Sequence, residues 1–121
     1  MDTVKDQGYR GLLAWQRGMT LVKAVYVASK DWPPDERFGL TNQVRRAVVG
    51  IPSNIAEGKG RTGTRELLHH LSIAHGSRCE VETQLMIARD LDYMSDQRLQ
   101  PLLEQAAEVG RLIRGLIQKY R

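Results

Sequence analysis

The sequence predicts an all-α fold, an antiparallel up-down-up-down four-helix bundle with a kinked second helix, in a single domain over residues 1–121. Three observations support this. Apolar residues recur at three- and four-residue steps through most of the chain, no segment alternates apolar and polar residues as strands do, and the breaks between helical segments are short. Four amphipathic helices joined by short turns bury their apolar faces best against one another.

The first helix is predicted over residues 12–29, after a polar segment, residues 1–10, that we expect to be disordered. Its main apolar stripe is Leu12, Trp15, Met19, Val22 and Tyr26. A second apolar strip lies beside this stripe, so the apolar surface is wider than one core face requires. We expect the additional surface to support self-association.

The second helix is predicted over residues 41–58, with Thr41 as its N-cap, after a turn that contains two consecutive prolines. Pro52 lies inside this helix and removes the hydrogen bond to the carbonyl of Val48, which typically costs about 3 kcal/mol. Because the apolar stripe continues in register as far as Ile55, a kink at the proline is favoured over a complete break.

The third and fourth helices are predicted over residues 64–91 and 96–120. Gly76 inside the third helix costs about 1 kcal/mol relative to alanine, and a close approach by the neighbouring helix would compensate for it. Ser95 is a suitable N-cap for the fourth helix, in which Pro101 either delays or bends the first turns.

Composition restricts the location and the chemistry of the protein. Cys79 is the single cysteine, so the chain cannot form an internal disulfide. The first ten residues do not have the pattern of a secretory leader, and no run approaches the length of about 18 apolar residues that crosses a bilayer. We therefore expect a cytoplasmic protein without a membrane partner. The net charge of +4 is compatible with nucleic-acid binding without requiring it.

Several segments of the chain carry a family resemblance. They are Leu13–Gln16, Met19, Phe38–Thr41, Arg45–Gly58, Ile73–Ser77 and Glu80–Leu85. Together they resemble the bacterial four-helix-bundle proteins encoded in intervening sequences of the 23S ribosomal RNA gene, over about residues 12–117, and the string Ile51–Gly58 is the most specific part. The resemblance implies an antiparallel bundle that assembles as a homopentamer. It also implies a distant likeness to the nucleic-acid-binding accessory proteins of diversity-generating retroelements, and no catalytic activity.

A set of basic residues is the predicted surface for RNA or DNA. These residues are Arg45, Arg46, Lys59, Arg61, Arg65, Arg111, Arg114 and Arg121. Phosphate binding strengthens with the number of cations that contact the backbone, and an oligomer repeats any basic patch. Aromatic residues for base stacking are scarce, so such a surface would respond to charge and shape more than to sequence. The alternative is an ordinary solvated face on a structural or partner-binding scaffold.

Polar residues beside the helix stripes are predicted to form a structural network with Arg45 between the second and third helices. They are Asn54, Glu57, Glu80, Glu82 and Gln84. An isolated buried carboxylate is costly, so pairing with arginine or amide groups is expected.

A metal-dependent enzyme is the third class of function to consider. Glu66 and His69 form one Glu-x-x-His step, the unit from which di-iron bundle sites are built, with His69 and His70 otherwise expected on a partly exposed polar face. The complete site requires two such steps, and the chain has one. The sequence also lacks a catalytic triad or a phosphate loop. We therefore expect a non-enzymatic protein with no metal and no cofactor.

Overall fold

The computed structural model describes residues 7–121, and residues 1–6 lie outside it. Four helices dominate the described chain and confirm the predicted all-α bundle, and no strand occurs among its residues. They are α1 Leu13–Ala28, α2 Leu40–Gly60, α3 Thr64–Asp90 and α4 Asp96–Tyr120. Each helix packs against the next one in the chain, and α1 also packs against α4. Helix boundaries lie within two residues of their predicted positions.

One hydrophobic core runs along the bundle and receives apolar residues from all four helices. The largest fully buried side chains are Leu21, Val25, Val44, Val48, Ile51, Ile55, Leu71, Val81, Leu85, Leu99, Val109 and Ile113. Their spacing is the three- and four-residue periodicity of the sequence, which places them on one face of each helix. Trp32 and Met94, from the two turns at one end of the bundle, join the same core.

The segment before α1 is more ordered than its sequence predicts. Disorder is predicted for residues 1–10, and residues 1–6 of that segment lie outside the described chain. The expectation is wrong for residues 8–10, because Gly8–Gly11 form a short 3-10 helix. The Tyr9 ring packs edge-on against the Trp15 ring, with 5.4 Å between centroids, and the Gln16 side chain donates to the Arg10 carbonyl at 2.8 Å.

The start of α2 is capped by a carboxylate and not by Thr41. Leu40 is the first helical residue, and its backbone N–H donates to Glu36 Oε1 at 2.9 Å, while Thr41 is buried inside the first turn. The Tyr93 hydroxyl donates to Glu36 Oε2 at 2.7 Å. The predicted cap is wrong because the acceptor comes from the preceding 3-10 helix, Pro34–Glu36, and is held in place by the turn after α3.

The two hydrogen bonds to Glu36 make stability depend on pH. The Tyr93 hydroxyl first, and then the Leu40 N–H, hold the pKa of Glu36 below its ordinary value. A lowered folded-state pKa adds stability above the unfolded-state pKa, and this stability disappears as pH falls through the folded-state pKa. We therefore expect unfolding by urea to show a loss of stability between about pH 5 and pH 3 that shrinks in both Glu36→Gln and Tyr93→Phe. An unchanged pH dependence in both variants would contradict this assignment.

Both internal prolines are accommodated within continuous helices. Helix α2 runs through Pro52, so a complete break is excluded, and the predicted kink stays a prediction. Helix α4 begins at Asp96 and runs through Pro101, so this proline does not delay the helix. Ser95 is its N-cap as predicted, since its hydroxyl accepts from the Arg98 N–H at 3.1 Å.

The close approach between α2 and α3 occurs at Gly58 and not at Gly76. A Cβ at Gly76 would have no neighbouring atom within 4 Å, so the predicted compensation for this glycine is wrong. A Cβ at Gly58 would lie 2.8 Å from His70 Cβ and 3.3 Å from the carbonyl oxygen of Leu67. Only glycine therefore allows the present separation of the two helices at this point.

Candidate nucleic-acid interface

The antiparallel order places the C-terminal ends of α2 and α4 beside the N-terminal end of α3. Among the described residues, these three helix ends carry five cations, and we call this region the basic end. They are Lys59, Arg61, Arg65, Lys119 and Arg121. The Lys59 ammonium lies 5.8 Å from the centroid of the Tyr120 ring, which joins the ends of α2 and α4. Two carboxylates, Glu57 and Glu66, lie in the same region, so cations are in excess there.

An aromatic ring lies among these cations. Tyr120 is the last residue of α4, and its partly exposed ring packs against the edge of the core. The Lys119 ammonium lies 5.4 Å from the ring centroid, in addition to that of Lys59. Both contacts are within the range of cation–π attraction. Positive charge next to an aromatic ring is a combination found on surfaces that bind single-stranded nucleic acid.

The opposite end of the bundle, which we call the acidic end, has the reverse balance. Its carboxylates are Asp31, Asp35, Glu36, Asp90, Asp92 and Asp96, and its cations are Lys30, Arg37, Arg45, Arg89 and Arg98. Arg89 contacts Asp90 at 3.0 Å and Asp96 at 2.8 Å, and Arg98 lies 3.5 Å from Asp31. The net positive charge of the protein is therefore concentrated away from this end.

The structure brings together only part of the predicted basic set. Lys59, Arg61, Arg65 and Arg121 lie at the basic end. Arg111 and Arg114 are exposed on α4, and Tyr120 lies six positions, or about 9 Å of helix, after Arg114. The prediction omitted Lys119, although its position two residues before Arg121 was a usable signal. Arg45 and Arg46 lie elsewhere and are described next.

Arg45 is used inside the fold. Its Nε donates to Ser29 Oγ at 2.9 Å, its Nη2 donates to the Tyr26 carbonyl at 3.2 Å, and its guanidinium lies 4.6 Å from the Tyr26 ring centroid. The side chain thus satisfies a carbonyl at the C-terminal end of α1, where a cation also interacts well with the helix dipole. Its predicted role as a partner for Glu57 or Glu80 is wrong, because its donors are directed at α1.

Arg46 lies at a polar cleft between α2 and α3. The cleft has a volume of about 300 Å³ and is lined by Gln43, Arg46, Ala47, Ser77, Glu80 and Gln84. Arg46 and Glu80 are exposed, whereas the Oε1 atom of Gln84 is buried and has no hydrogen-bond partner among the described residues. Glu80 and Gln84 therefore line a cleft and do not join the predicted polar network.

Asn54 and Glu57 do form a polar network, and His70 links it to α3. Asn54 Nδ2 donates to the Gly50 carbonyl at 2.8 Å, and Asn54 Oδ1 lies 3.1 Å from His70 Nδ1. The Glu57 carboxylate lies 2.6 Å from Arg61 Nη2 and 3.9 Å from His70 Nε2. The Arg61 hydrogen bond, and secondly the charge of His70, lower the pKa of Glu57. His70 is partly buried, which agrees with the partly exposed polar face expected for it, but no sequence signal marked its contacts with Asn54 and Glu57.

Glu82 pairs along its own helix and not with α2. Its Oε2 accepts from Arg78 Nη1 at 2.8 Å, and Arg78 is only 8% exposed. The Arg78 guanidinium lies against Gly110 of α4, where a Cβ would come within 2.9 Å of three Arg78 atoms. Arg78 was absent from the predicted network, although its position four residues before Glu82 is the spacing of a helical ion pair.

Glu66 and His69 are not part of a larger group of possible metal ligands among the described residues. Across residues 7–121, no group of three or more His, Cys, Asp or Glu side chains is placed to hold a metal ion. The His69 ring instead packs edge-on against the His70 ring, at 5.5 Å between centroids. Among the described helices, none is long and apolar enough to span a membrane.

The fold and the separation of charge define a small four-helix-bundle protein with one basic end. The chain belongs to the 23S rRNA-intervening sequence protein family, whose sequence profile matches residues 10–115. This match confirms the resemblance carried by the sequence motifs. No curated protein matches the chain significantly.

A solved structure supports the fold independently. The crystal structure, at 1.70 Å, of a protein with unknown function from the S23 ribosomal protein family of Bacteroides thetaiotaomicron VPI-5482 superposes with a TM-score of 0.78. The similarity covers 87% of this chain and 98% of that one, at 17% sequence identity. At this identity the comparison demonstrates a common bundle fold and nothing about activity.

Proposed function

We propose that this protein is a non-enzymatic, homo-oligomeric, cytoplasmic protein that binds RNA or DNA through its basic end. The observation that carries the proposal is the collection of five cations at one end of the bundle, with most of the carboxylates of the loops at the other. Such a surface attracts the phosphate backbone, and counterion release from the nucleic acid supplies the free energy. Arg111 and Arg114 extend the positive surface along α4.

The proposed recognition is largely independent of nucleotide sequence. Tyr120 is the aromatic residue that Lys59 and Lys119 contact at the basic end, and the cations there are flexible or exposed side chains that suit phosphates better than base edges. Stacking on Tyr120 would favour single strands over duplexes, because only unpaired bases offer a free ring face.

Self-association is the second part of the proposal, with the homopentamer implied by the family resemblance as the expected assembly. An apolar groove of about 360 Å³ between α1 and α2 is lined by Tyr9, Trp15, Met19, Val22, Val49, Pro52, Ser53 and Ala56. Met19 is 46% exposed and Val49 is 39% exposed. Apolar surface of this kind is normally covered by a partner. A ring of copies would also repeat the basic end and so strengthen phosphate binding.

The salt dependence of binding tests the nucleic-acid part of the proposal. We expect the affinity of the wild-type protein for mixed-sequence RNA or DNA to fall steeply as salt rises from about 50 to 200 mM, and by similar factors for different sequences. Fluorescence anisotropy with labelled single strands and duplexes of equal length measures this. If no salt-dependent binding is found at about 50 mM salt, the basic end is a solvated surface and the protein is a structural or partner-binding scaffold.

A further inference from the structure

Phe38 is the most exposed large hydrophobic residue of the described chain. Its relative exposure is 85%, whereas the next most exposed, Val27, reaches 57%. The ring contacts the Arg37 guanidinium of its own turn and lies outside the hydrophobic core. An apolar ring presented to solvent in this way is typical of an anchor that inserts into a pocket on a partner.

The turn that carries Phe38 is held in place on both sides. In the two residues that follow Phe38, the Gly39 N–H donates to the Glu36 carbonyl at 2.9 Å, and the Leu40 N–H donates to the Glu36 carboxylate at 2.9 Å. The Tyr93 hydroxyl anchors the same carboxylate to the turn between α3 and α4. The ring is therefore presented from an anchored backbone, so little conformational entropy is lost when it is buried.

The charge around Phe38 selects the kind of partner. Phe38 lies at the acidic end, three residues after the exposed Asp35. The Arg37 guanidinium lies 5.2 Å from the centroid of the Phe38 ring, so the segment around the ring carries a cation as well as the Asp35 carboxylate. This balance concentrates little positive charge for a phosphate backbone, whereas Asp35 favours an apolar protein surface that offers a cation.

A groove with these properties exists on the same chain. It lies between α1 and α4, has a volume of about 390 Å³, and its apolar lining includes Ala24, Val27, Ala28 and Leu102. The side chains of Lys23 and Arg98 also line it. Lys23 has no ion-pair partner within residues 7–121, so its charge is available to an incoming carboxylate. In contrast, none of the described residues that line the α1–α2 groove is charged.

We propose that Phe38 of one copy of this chain inserts into the α1–α4 groove of a second copy, with Asp35 beside Lys23 of that copy. The proposal rests on the self-association proposed above and assigns one contact of that assembly, separate from the α1–α2 groove. Phe38 is open to solvent and does not line this groove in its own chain, so the contact joins two copies. The anchor and the groove are two different surfaces of the same chain, so the interface between two copies is heterologous. Interfaces of this kind allow several copies to close into a ring.

Sedimentation equilibrium of Phe38→Ala tests the anchor. We expect the dissociation constant of the assembly to rise at least tenfold, with unchanged helix content, because the exposed ring does not stabilise the protomer. Leu91→Ala is the matched control, since it removes a 50% exposed apolar side chain from the same end, and it should leave the assembly intact. An oligomeric wild type with an unaffected Phe38→Ala variant would overturn this inference and leave the proposed self-association standing. A monomeric wild type would overturn both.

A charge exchange tests the groove. Asp35→Lys and Lys23→Glu should each weaken assembly severalfold, and the double variant should recover most of the loss, because every copy then presents the reversed pair. Failure of the double variant to recover, with Phe38→Ala still weakening assembly, would show that the anchor uses another groove and overturn the assignment. Nucleic-acid binding is measured separately, so its absence would contradict the first part of the proposed function and not this contact.

Discussion

Replacing Lys59 and Arg65 with glutamine is expected to lower the affinity for mixed-sequence RNA or DNA by roughly fiftyfold at about 0.1 M salt. Each lost phosphate contact removes about 0.9 from the slope of log affinity against log salt, so the slope should fall by about two. Both side chains are exposed, and Arg65 lies in the first turn of α3. Fluorescence anisotropy over a salt series gives both quantities. The protomer should remain folded, because neither residue contributes to the core.

The matched control is the pair Lys30→Gln and Arg37→Gln. It removes the same two types of exposed cation from the acidic end. If binding is local to the basic end, the control pair should change affinity by less than about threefold, through long-range electrostatics alone. Equal losses of affinity in the two double variants would show that the net charge of the protein, and not the basic end, controls binding.

Gly58→Ala is expected to destabilise the folded protein by about 2 kcal/mol, or roughly a thirtyfold change in the unfolding constant. The new methyl group would lie 2.8 Å from His70 Cβ and 3.3 Å from the Leu67 carbonyl. Neither atom can move without shifting the backbone of α3, so α2 and α3 must separate. The gain of about 1 kcal/mol in helix propensity is too small to offset this strain.

Gly60→Ala is the control for this prediction. Gly60 is the last residue of the same helix, and a Cβ there would have no neighbour within 4 Å. Alanine at this position should be neutral or stabilising by up to about 1 kcal/mol. Urea unfolding at one fixed protein concentration compares the variants, because the stability of an oligomer depends on concentration. A Gly58→Ala protein as stable as Gly60→Ala would show that the helices are not closely packed at this point.

The helices and the family follow from the order of the residues alone. Apolar periodicity reports which residues face the core regardless of how the helices are arranged, so the boundaries of α1 to α4 are predictable to within two residues. Ser95 is predictable because an N-cap acts on a backbone N–H three residues away. The continuity of α2 through Pro52 follows from the unbroken register of its apolar stripe.

Contacts between distant residues depend on how the helices pack. The cap of α2 depends on a carboxylate fixed by Tyr93, 57 residues away, and the partner of Asn54 is His70, 16 residues away. Whether a glycine lies against a neighbouring helix depends on how that helix is rotated about its axis, which periodicity does not report, so Gly58 and not Gly76 is the close contact.

The basic end is likewise predictable in part from the sequence and determined in part by helix packing. Lys59, Arg61 and Arg65 are neighbours in the chain, so their grouping is apparent from their positions in the sequence. Lys119 and Arg121 join them only because α4 runs antiparallel to α3 and ends beside α2. Arg45 has the same charge as these residues but is directed into the C-terminal end of α1, where its donors are used. Sequence identifies which side chains are cationic, whereas the packing of the helices determines which cations act together on a phosphate backbone.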